Sequence, residues 1–206
     1  MSYFTIGRWN VPASLLAIIL AVIISYFVFF GKEKKQPGDW YWNSLLLFVI
    51  IYKLSYAILN FSLFINFPMS LIYFNGGSKG QLIAAVFIAI YLFRLYKKNK
   101  PNLLDETTFL LMLTFFAFQI VFNLLEQNFM LAGIQTAILL GYTLYEYIGR
   151  KKTLKIANQM ILFFFLMDLL FLSFFDKLMV SYNLSFIFIN FVHIITQYFS
   201  KEGQEA

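Results

Sequence analysis

Long, uninterrupted apolar runs constrain this chain more than any other feature. A helix rises 1.5 Å per residue, so about 20 apolar residues cross the roughly 30 Å hydrocarbon layer of a bilayer. Lipid cannot satisfy backbone polar groups, so such runs have to be helices. We therefore predict an all-α fold, a polytopic transmembrane bundle of seven spans that forms a single integral membrane domain over residues 1–206. The predicted spans are 11–30, 43–65, 79–95, 107–126, 128–147, 157–175 and 181–199.

Composition supports a lipid environment. The chain is 61% hydrophobic and 13% charged, whereas soluble domains are about 45–50% apolar and about 25% charged. The third run is the shortest, because Lys79 and Arg94 bound it, and a re-entrant segment is the alternative there. The fourth and fifth runs are separated only by Glu126 to Asn128, which predicts a tight antiparallel helical hairpin.

Basic residues predict the orientation. With alternating spans, twelve of them fall on one side of the membrane and three on the other. Short loops rich in lysine and arginine stay in the cytoplasm, so we predict an outer N-terminus and a cytoplasmic C-terminus. The cytoplasmic set is Lys32, Lys34, Lys35, Arg94, Lys97, Lys98, Lys100, Arg150, Lys151, Lys152, Lys155 and Lys201, and the outer set is Arg8, Lys79 and Lys177.

The residue types present exclude several functions. The chain has no cysteine and one histidine, so we predict no disulfide, no thiolate nucleophile, no metal site and no cofactor. Its net charge of +6 lies in short loops between apolar runs, which favours anionic lipid headgroups over nucleic acid as the partner. No hydrolase, metalloprotease, P-loop or kinase motif is present, so the catalytic residues, if any, are unknown.

Two ionisable residues lie near the middle of predicted spans. Lys53 is about halfway along the second span and Asp168 about halfway along the sixth. A charge at the bilayer centre costs at least about 2.5–3.5 kcal/mol, so we expect each residue to have a structural or functional role that offsets this cost. The two could form a structural ion pair, they could form a polar site for a headgroup or substrate, or they could never meet.

Polar residues also recur along the fourth span. Gln119, Asn123 and Glu126 are three and four residues apart and therefore share one helix face. The stripe predicts either a headgroup pocket that opens outward or interhelical hydrogen bonds, the commoner role of Asn and Gln in membranes. His193, in the last span, is more often a packing residue than a catalytic base in such a position.

One segment resembles a known family. The stretch Phe67-Pro68-x-x-Leu71-Ile72-Tyr73-Phe74-Asn75-Gly76-Gly77-Ser78 is similar to the segment before the third helix of bacterial prolipoprotein diacylglyceryl transferase. Further pieces follow in matching order and cover most of the chain. These pieces are Ile6-Gly7, Asp39-Trp40-x-x-Asn43, Lys53-x-Ser55-Tyr56-x-x-x-Asn60, Asn123-x-x-Glu126, and Gln135 with Tyr145 and Arg150-Lys151-Lys152.

The resemblance implies a seven-span protein of the bacterial plasma membrane that handles or senses a phospholipid or lipid-linked substrate at the outer leaflet. The candidate headgroup-binding residues are Lys53, Tyr56, Asn75, Gly76, Gly77, Lys79, Asn123, Glu126 and Asp168. The family's histidine after this loop has no counterpart, and neither has the arginine before Asn123. These departures favour a relative without transfer activity. The alternatives are a non-catalytic scaffold or regulatory subunit that binds a membrane protein, and a small permease.

Overall fold

The computed structural model describes residues 3–6, 9–74, 76–98, 102–149 and 154–205. Within them lie a short β-hairpin, seven long helices and two short ones. The strands are β1 (Tyr3–Ile6) and β2 (Trp9–Pro12), and the helices are α1 (Ala13–Glu33), α2 (Asp39–Leu59), α3 (Phe61–Asn66), α4 (Ser70–Tyr73), α5 (Gly77–Lys98), α6 (Asn102–Leu125), α7 (Phe129–Gly149), α8 (Leu154–Phe174) and α9 (Ser181–Glu205).

The protein is a helical membrane bundle. By length and composition, four helices of the described chain can cross a membrane, and two shorter apolar helices accompany them. The four are Ala13–Glu33, Asp39–Leu59, Gly77–Tyr96 and Glu106–Leu125, and the two shorter ones are Met160–Phe174 and Ser181–Thr196. Large apolar side chains such as Ile58 and Phe27 are exposed on these helices, as expected of surfaces that contact lipid.

A short N-terminal hairpin, which was not predicted, precedes the helices of this all-α fold. β1 pairs antiparallel with β2, in a register that joins Tyr3 to Pro12 and Ile6 to Trp9. The first helix therefore begins at Ala13, two residues later than predicted. Pro12 cannot donate a backbone hydrogen bond, and proline is favoured just at the start of a helix, so it marks this junction.

The second predicted span, 43–65, is divided in the structure. α2 begins earlier, at Asp39, and ends at Leu59, because Asn60 leaves the helical conformation with φ −126° and ψ 47°. α3 continues only to Asn66. Asparagine is a poor residue inside helices, since its amide competes for backbone hydrogen bonds. The segment after α2 can therefore turn back toward α2 instead of extending it.

The chain divides into two compact units. Unit 1 contains residues 1–37 and 109–178, and unit 2 contains residues 38–108 and 179–206. Unit 1 thus holds the hairpin, α1, most of α6, α7 and α8, while unit 2 holds α2 to α5, the first turns of α6, and α9.

Aromatic rings form the core of unit 1. Tyr142 of α7 packs against Phe116 of α6, with ring centroids 5.8 Å apart, and against Phe164 of α8 at 5.9 Å. Lys32 at the end of α1 lies 2.8 Å from Glu146 of α7 and above the Phe109 ring. These contacts hold α6, α7 and α8 together and attach the end of α1 to them.

Hydrogen bonds to Glu106 hold the start of α2 in unit 2. The Glu106 carboxylate accepts from Gly38 N at 2.8 Å and from Trp40 Nε1 at 3.0 Å. Bonds from a carboxylate to N–H groups are stronger than neutral ones. The start of α6 and the start of α2 are therefore tied together across 68 residues of sequence.

The predicted hairpin between the fourth and fifth spans is present. Asn128 N donates to Asn123 O at 2.8 Å and Gln127 N to Leu124 O at 3.1 Å, and Gln127 has a left-handed φ of 61°. These features form a Schellman motif, the usual way for a helix to end. The three-residue turn between Leu125 and Phe129 results from this geometry.

We expect Gln127→Gly to raise the free energy of unfolding by about 0.5–1 kcal/mol, because glycine occupies a left-handed conformation without the steric penalty of a Cβ atom. Chemical unfolding in mixed micelles measures the change. Gln127→Ala is the matched control, since alanine removes the amide but keeps Cβ. An equal gain in both variants would show that φ is not the cause.

Candidate functional site

The candidate headgroup-binding residues fall into the two units. Lys53, Tyr56, Gly76, Gly77 and Lys79 belong to unit 2. Asn123, Glu126 and Asp168 belong to unit 1. Asn75, the remaining candidate, lies outside the described residues.

Lys53 holds the segment 67–80, which we call the glycine loop. Its Nζ donates to Phe74 O at 3.1 Å and to Leu71 O at 3.5 Å. Both acceptors are backbone carbonyls at the end of the short helix α4, where unpaired carbonyl groups carry partial negative charge. The ammonium is thus placed at the loop, and its role there is both structural and electrostatic.

Glycines allow the loop to lie directly on α2. Gly76 N donates to Tyr52 O at 3.2 Å, and a Cβ atom at either Gly76 or Gly80 would overlap Ser55 Oγ. A side chain at either position therefore requires Ser55 or the backbone to shift. Ser55 and Gly80 were not among the predicted site residues, although the Gly76-Gly77-x-x-Gly80 spacing is the signal that indicates a close approach.

The remaining unit 2 candidates surround this contact. Tyr56 is buried and stacks on Phe74, with ring centroids 5.6 Å apart. Gly77 begins α5 with a left-handed φ of 58°, and Lys79 is exposed in the first turn of that helix. The structure therefore brings Lys53 and Tyr56 of α2 together with the glycine loop, which contains Gly76, Gly77 and Lys79.

The unit 1 candidates are enclosed rather than exposed. Asn123 and Asp168 are 1% and 0% exposed, and Glu126 is partly buried. Asn123 Nδ2 donates to Gln119 O at 2.8 Å and to Gln135 Oε1 on α7 at 2.9 Å. The two alternatives for this stripe were a headgroup pocket and interhelical hydrogen bonds. Asn123 makes an interhelical hydrogen bond, to Gln135.

Gln135 extends this contact to α8. Its amide is close enough to the Asp168 carboxyl to interact with it, but neither carboxyl oxygen nor Gln135 Nε2 has a hydrogen bond of full geometry among the described residues. We call Asn123, Gln135 and Asp168 the Asp168 cluster. Gln135 is fully buried and was not predicted as a site residue, although an uncharged amide within an apolar run is the signal that marks it.

His193 is bonded on both sides of its ring. Nδ1 lies 2.6 Å from the Tyr96 hydroxyl of α5, and Nε2 lies 2.6 Å from Thr108 Oγ1 of α6. A neutral imidazole has one donor and one acceptor nitrogen, so one hydroxyl donates to the ring and the other accepts from it. With both nitrogens engaged and 1% exposure, His193 joins three helices of unit 2 as a packing residue.

In the described ranges, no group of three or more His, Cys, Asp or Glu residues gathers to hold a metal ion. The two sites instead offer a positively charged loop in unit 2 and a buried carboxyl group in unit 1. The first suits binding of an anion, and the second suits binding of a cation.

The fold and these two sites define the class of protein, a multi-pass helical membrane protein with buried polar contacts between its helices. Comparisons with protein-family models, with curated proteins and with solved structures found no match. The resemblance to the diacylglyceryl transferase family therefore stays a prediction from its motifs.

Proposed function

We propose that the protein binds a phospholipid headgroup or a lipid-linked substrate at the outer leaflet of a bacterial plasma membrane, as a relative of prolipoprotein diacylglyceryl transferase without the transfer reaction. In this proposal seven spans cross the membrane, with the N-terminus outside and the C-terminus in the cytoplasm. The seven long helices contain 21 to 25 residues each. A helix of 21 residues is about 31 Å long, which suits this arrangement.

The glycine loop carries the proposal. Lys53 Nζ lies at the loop carbonyls of Leu71 and Phe74, and Lys79 is exposed in the first turn of α5. The N-terminal end of a helix carries partial positive charge from its backbone N–H groups. Lys79 at this end and Lys53, which contacts the loop before it, favour an anionic group, and phosphate is the anion that a membrane surface supplies.

Binding is favoured over transfer for two reasons. The family's histidine and arginine have no counterparts in the sequence. His193, the one histidine, uses both ring nitrogens to bond Tyr96 and Thr108, and a general base needs a nitrogen within reach of its substrate. Expression in bacteria depleted of the true transferase is therefore expected to leave prolipoprotein processing unrestored. Restored processing would contradict the absence of transfer activity.

We expect Lys79→Gln to weaken phosphatidylglycerol binding about fivefold, because one lysine near an anionic lipid surface contributes about 1 kcal/mol. Lys79 suits this test since its side chain is exposed and has no role in holding the loop. The purified protein is titrated with phosphatidylglycerol in nanodiscs of phosphatidylcholine, and bound lipid is counted by native mass spectrometry.

Two variants complete that experiment. Lys79→Arg keeps the charge and is expected to retain wild-type binding. Lys177→Gln removes a lysine from unit 1 and is expected to leave binding unchanged. Equal losses in Lys79→Gln and Lys177→Gln would point to a general effect of net charge and would contradict a site at the glycine loop.

A scaffold or regulatory subunit is the second candidate function. The observation that favours it is the interhelical bonding of polar side chains, as in Asn123 with Gln135 and His193 with Tyr96. Cross-linking in intact membranes followed by purification distinguishes the two. A stoichiometric protein partner, with no phosphatidylglycerol retained, would favour the scaffold.

A further inference from the structure

Three helices of unit 1 place polar side chains at one level of its interior. α7 and α8 pack antiparallel, and Gly141 of α7 lies against Phe164 of α8, since a Cβ atom at Gly141 would be 3.2 Å from that ring. This contact is the reference from which heights along the two helices can be compared. Gln135 is six residues before Gly141 and Asp168 is four residues after Phe164. At 1.5 Å per residue, both lie on the same side of that contact and within about 3 Å in height.

The Asp168 cluster has more hydrogen-bond acceptors without a partner than donors without one. Asn123 Nδ2 already donates to Gln119 O and to Gln135 Oε1. Because Gln135 Oε1 is the acceptor of that bond, its Nε2 has to be the atom that points away from Asn123. The atoms left without a hydrogen bond are three acceptors, Asn123 Oδ1 and the two Asp168 oxygens, and one donor, Gln135 Nε2.

Among the described residues, no cationic side chain is a charge partner of the Asp168 carboxylate. Lys32 is paired with Glu146, and Glu146 is eleven residues from Gln135 along α7, about 16 Å away. The other described ionisable groups on α6, α7 and α8 within unit 1 are Glu126 near the end of α6, Tyr142, Tyr145 and Tyr147 on α7, and Asp176 with Lys177 just after α8. Neither carboxyl oxygen of Asp168 has a hydrogen-bond partner among the described residues.

We propose that Asp168, Gln135 and Asn123 form an intramembrane binding site for a monovalent cation, either a proton on the carboxyl group or a sodium ion among the three unpaired oxygens. One carboxylate balances one positive charge, so the site matches a monovalent species. Carboxylate and amide oxygens are the ligands that hard cations take. Buried carboxyl groups in membrane helices commonly mark paths for ions or protons.

One end of the bundle in unit 1 offers the shorter route to this site. Asp168 is six residues from the end of α8 at Phe174, and Gln135 is six residues from the start of α7 at Phe129. Both distances are about 9 Å along the helix axis. The turn that contains Gln127 joins α6 to α7 at this same end, so a small cation has less than two helical turns to cross from there.

The test measures how cations stabilise the purified full-length protein in nanodiscs. Melting temperatures are recorded at pH 8 in increasing NaCl, with choline chloride keeping the ionic strength constant, and then from pH 8 to pH 5 without sodium. A ligand that binds only the folded protein raises the melting temperature by roughly 3–6 °C for each tenfold increase above half-saturation. A sodium-specific rise identifies Na⁺, and a rise at lower pH alone identifies H⁺.

Two substitutions test whether the cation dependence of the melting temperature arises from the Asp168 cluster. Asp168→Asn removes the charge with little change of shape and is expected to abolish the sodium or pH dependence. Asp176→Asn removes an exposed carboxylate after α8 and is expected to keep it. No dependence in the wild type, or the same dependence in Asp168→Asn as in the wild type, would overturn the proposal.

Asn123→Ala tests the site while keeping the carboxylate. It is the deciding variant if the Asp168→Asn protein does not fold and accumulate in the membrane. Loss of one oxygen ligand or hydrogen bond is expected to raise the sodium concentration at half-saturation about tenfold, or to move the pH midpoint by about one unit. Asn190→Ala, on α9 in unit 2, is the matched control. An unchanged midpoint in Asn123→Ala would also overturn the proposal.

Discussion

Replacing His193 by leucine is expected to lower the free energy of unfolding by about 2–4 kcal/mol, the larger of the two main effects. The Tyr96 hydroxyl and Thr108 Oγ1 would each lose a bond of 2.6 Å to the ring. Both residues are buried, and a buried polar group that loses its partner costs about 1–3 kcal/mol. Unfolding of the purified protein in mixed dodecyl maltoside and SDS micelles measures the change.

A double-mutant cycle separates this network from simple packing. In Tyr96→Phe the hydroxyl is already absent, so His193→Leu is expected to cost about 1–2 kcal/mol less in that background than in the wild type. His193→Gln is the conservative variant, because its amide can replace one of the two bonds. If His193→Leu has the same effect in both backgrounds, the hydrogen bond to Tyr96 contributes nothing to stability.

Replacing Gly76 by alanine is expected to lower the free energy of unfolding by about 2–3 kcal/mol, and replacing Gly80 by about 1–2 kcal/mol. The added methyl group overlaps Ser55 Oγ in both variants, but at Gly76 it also lies 2.7 Å from the backbone Cα of Gly80. A serine hydroxyl can rotate away, whereas backbone has to move. The same assay in mixed micelles ranks the two variants.

The two glycines are expected to respond differently to Ser55→Ala. This second change removes the hydroxyl, after which the nearest atoms to a Cβ at Gly80 are Tyr52 Cδ2 at 3.3 Å, part of a side chain that can shift slightly, and the Cβ of residue 55 at 3.4 Å. It should therefore restore about 1 kcal/mol to Gly80→Ala and leave most of the loss in Gly76→Ala, whose clash with backbone remains. Equal rescue of both variants would contradict the close approach of Gly76 to the backbone of Gly80.

Gly133→Ala is the control for these substitutions. Gly133 lies inside α7, is exposed, and has no atom within 4 Å of a Cβ position. Alanine is favoured over glycine inside a helix by about 1 kcal/mol. This variant is therefore expected to be as stable as the wild type or more stable, which would show that position rather than the glycine-to-alanine change decides the outcome.

The glycine loop links stability to the proposed function. Lys53 bonds the loop carbonyls, and Gly76 N bonds Tyr52 O, so the loop is built onto α2 by contacts within unit 2. Variants that displace the loop should weaken lipid binding as well as folding. Lys79→Gln should weaken binding alone, because its side chain is exposed. This difference separates loss of the loop from loss of a charge.

Helix positions could be predicted from the sequence, and their ends only approximately. All seven predicted spans contain a long helix, and the turn at Glu126 to Asn128 follows from its short length. The break at Asn60 and the hairpin before Ala13 were not predicted. Both depend on which segments meet: the chain folds back after Asn60 because the loop packs on Ser55, and Val11 is a strand residue because β1 lies beside it.

The candidate site could be predicted only in part. Lys53, Asn123 and Asp168 were recognised because a polar residue in an apolar run is costly in a membrane and therefore indicates a structural or functional role. Their partners were not, since the spacing of residues along one helix identifies a face but not the helix opposite it. Gln135 is the example, because the hydrogen bond from Asn123 and the position beside Asp168 appear only once α6, α7 and α8 have packed.

The sequence by itself determined the lipid environment and the long helices of this protein, because hydrophobic run length and the need for internal backbone hydrogen bonds leave helices in lipid as the one economical solution. Only the tertiary structure decided which polar groups meet. In the folded protein, both ring nitrogens of His193 form hydrogen bonds, one with Tyr96 and one with Thr108. The same fold leaves the oxygens of Asp168 without a hydrogen bond among the described residues. Such contacts join residues far apart in sequence, and their geometry exists only in the packed bundle.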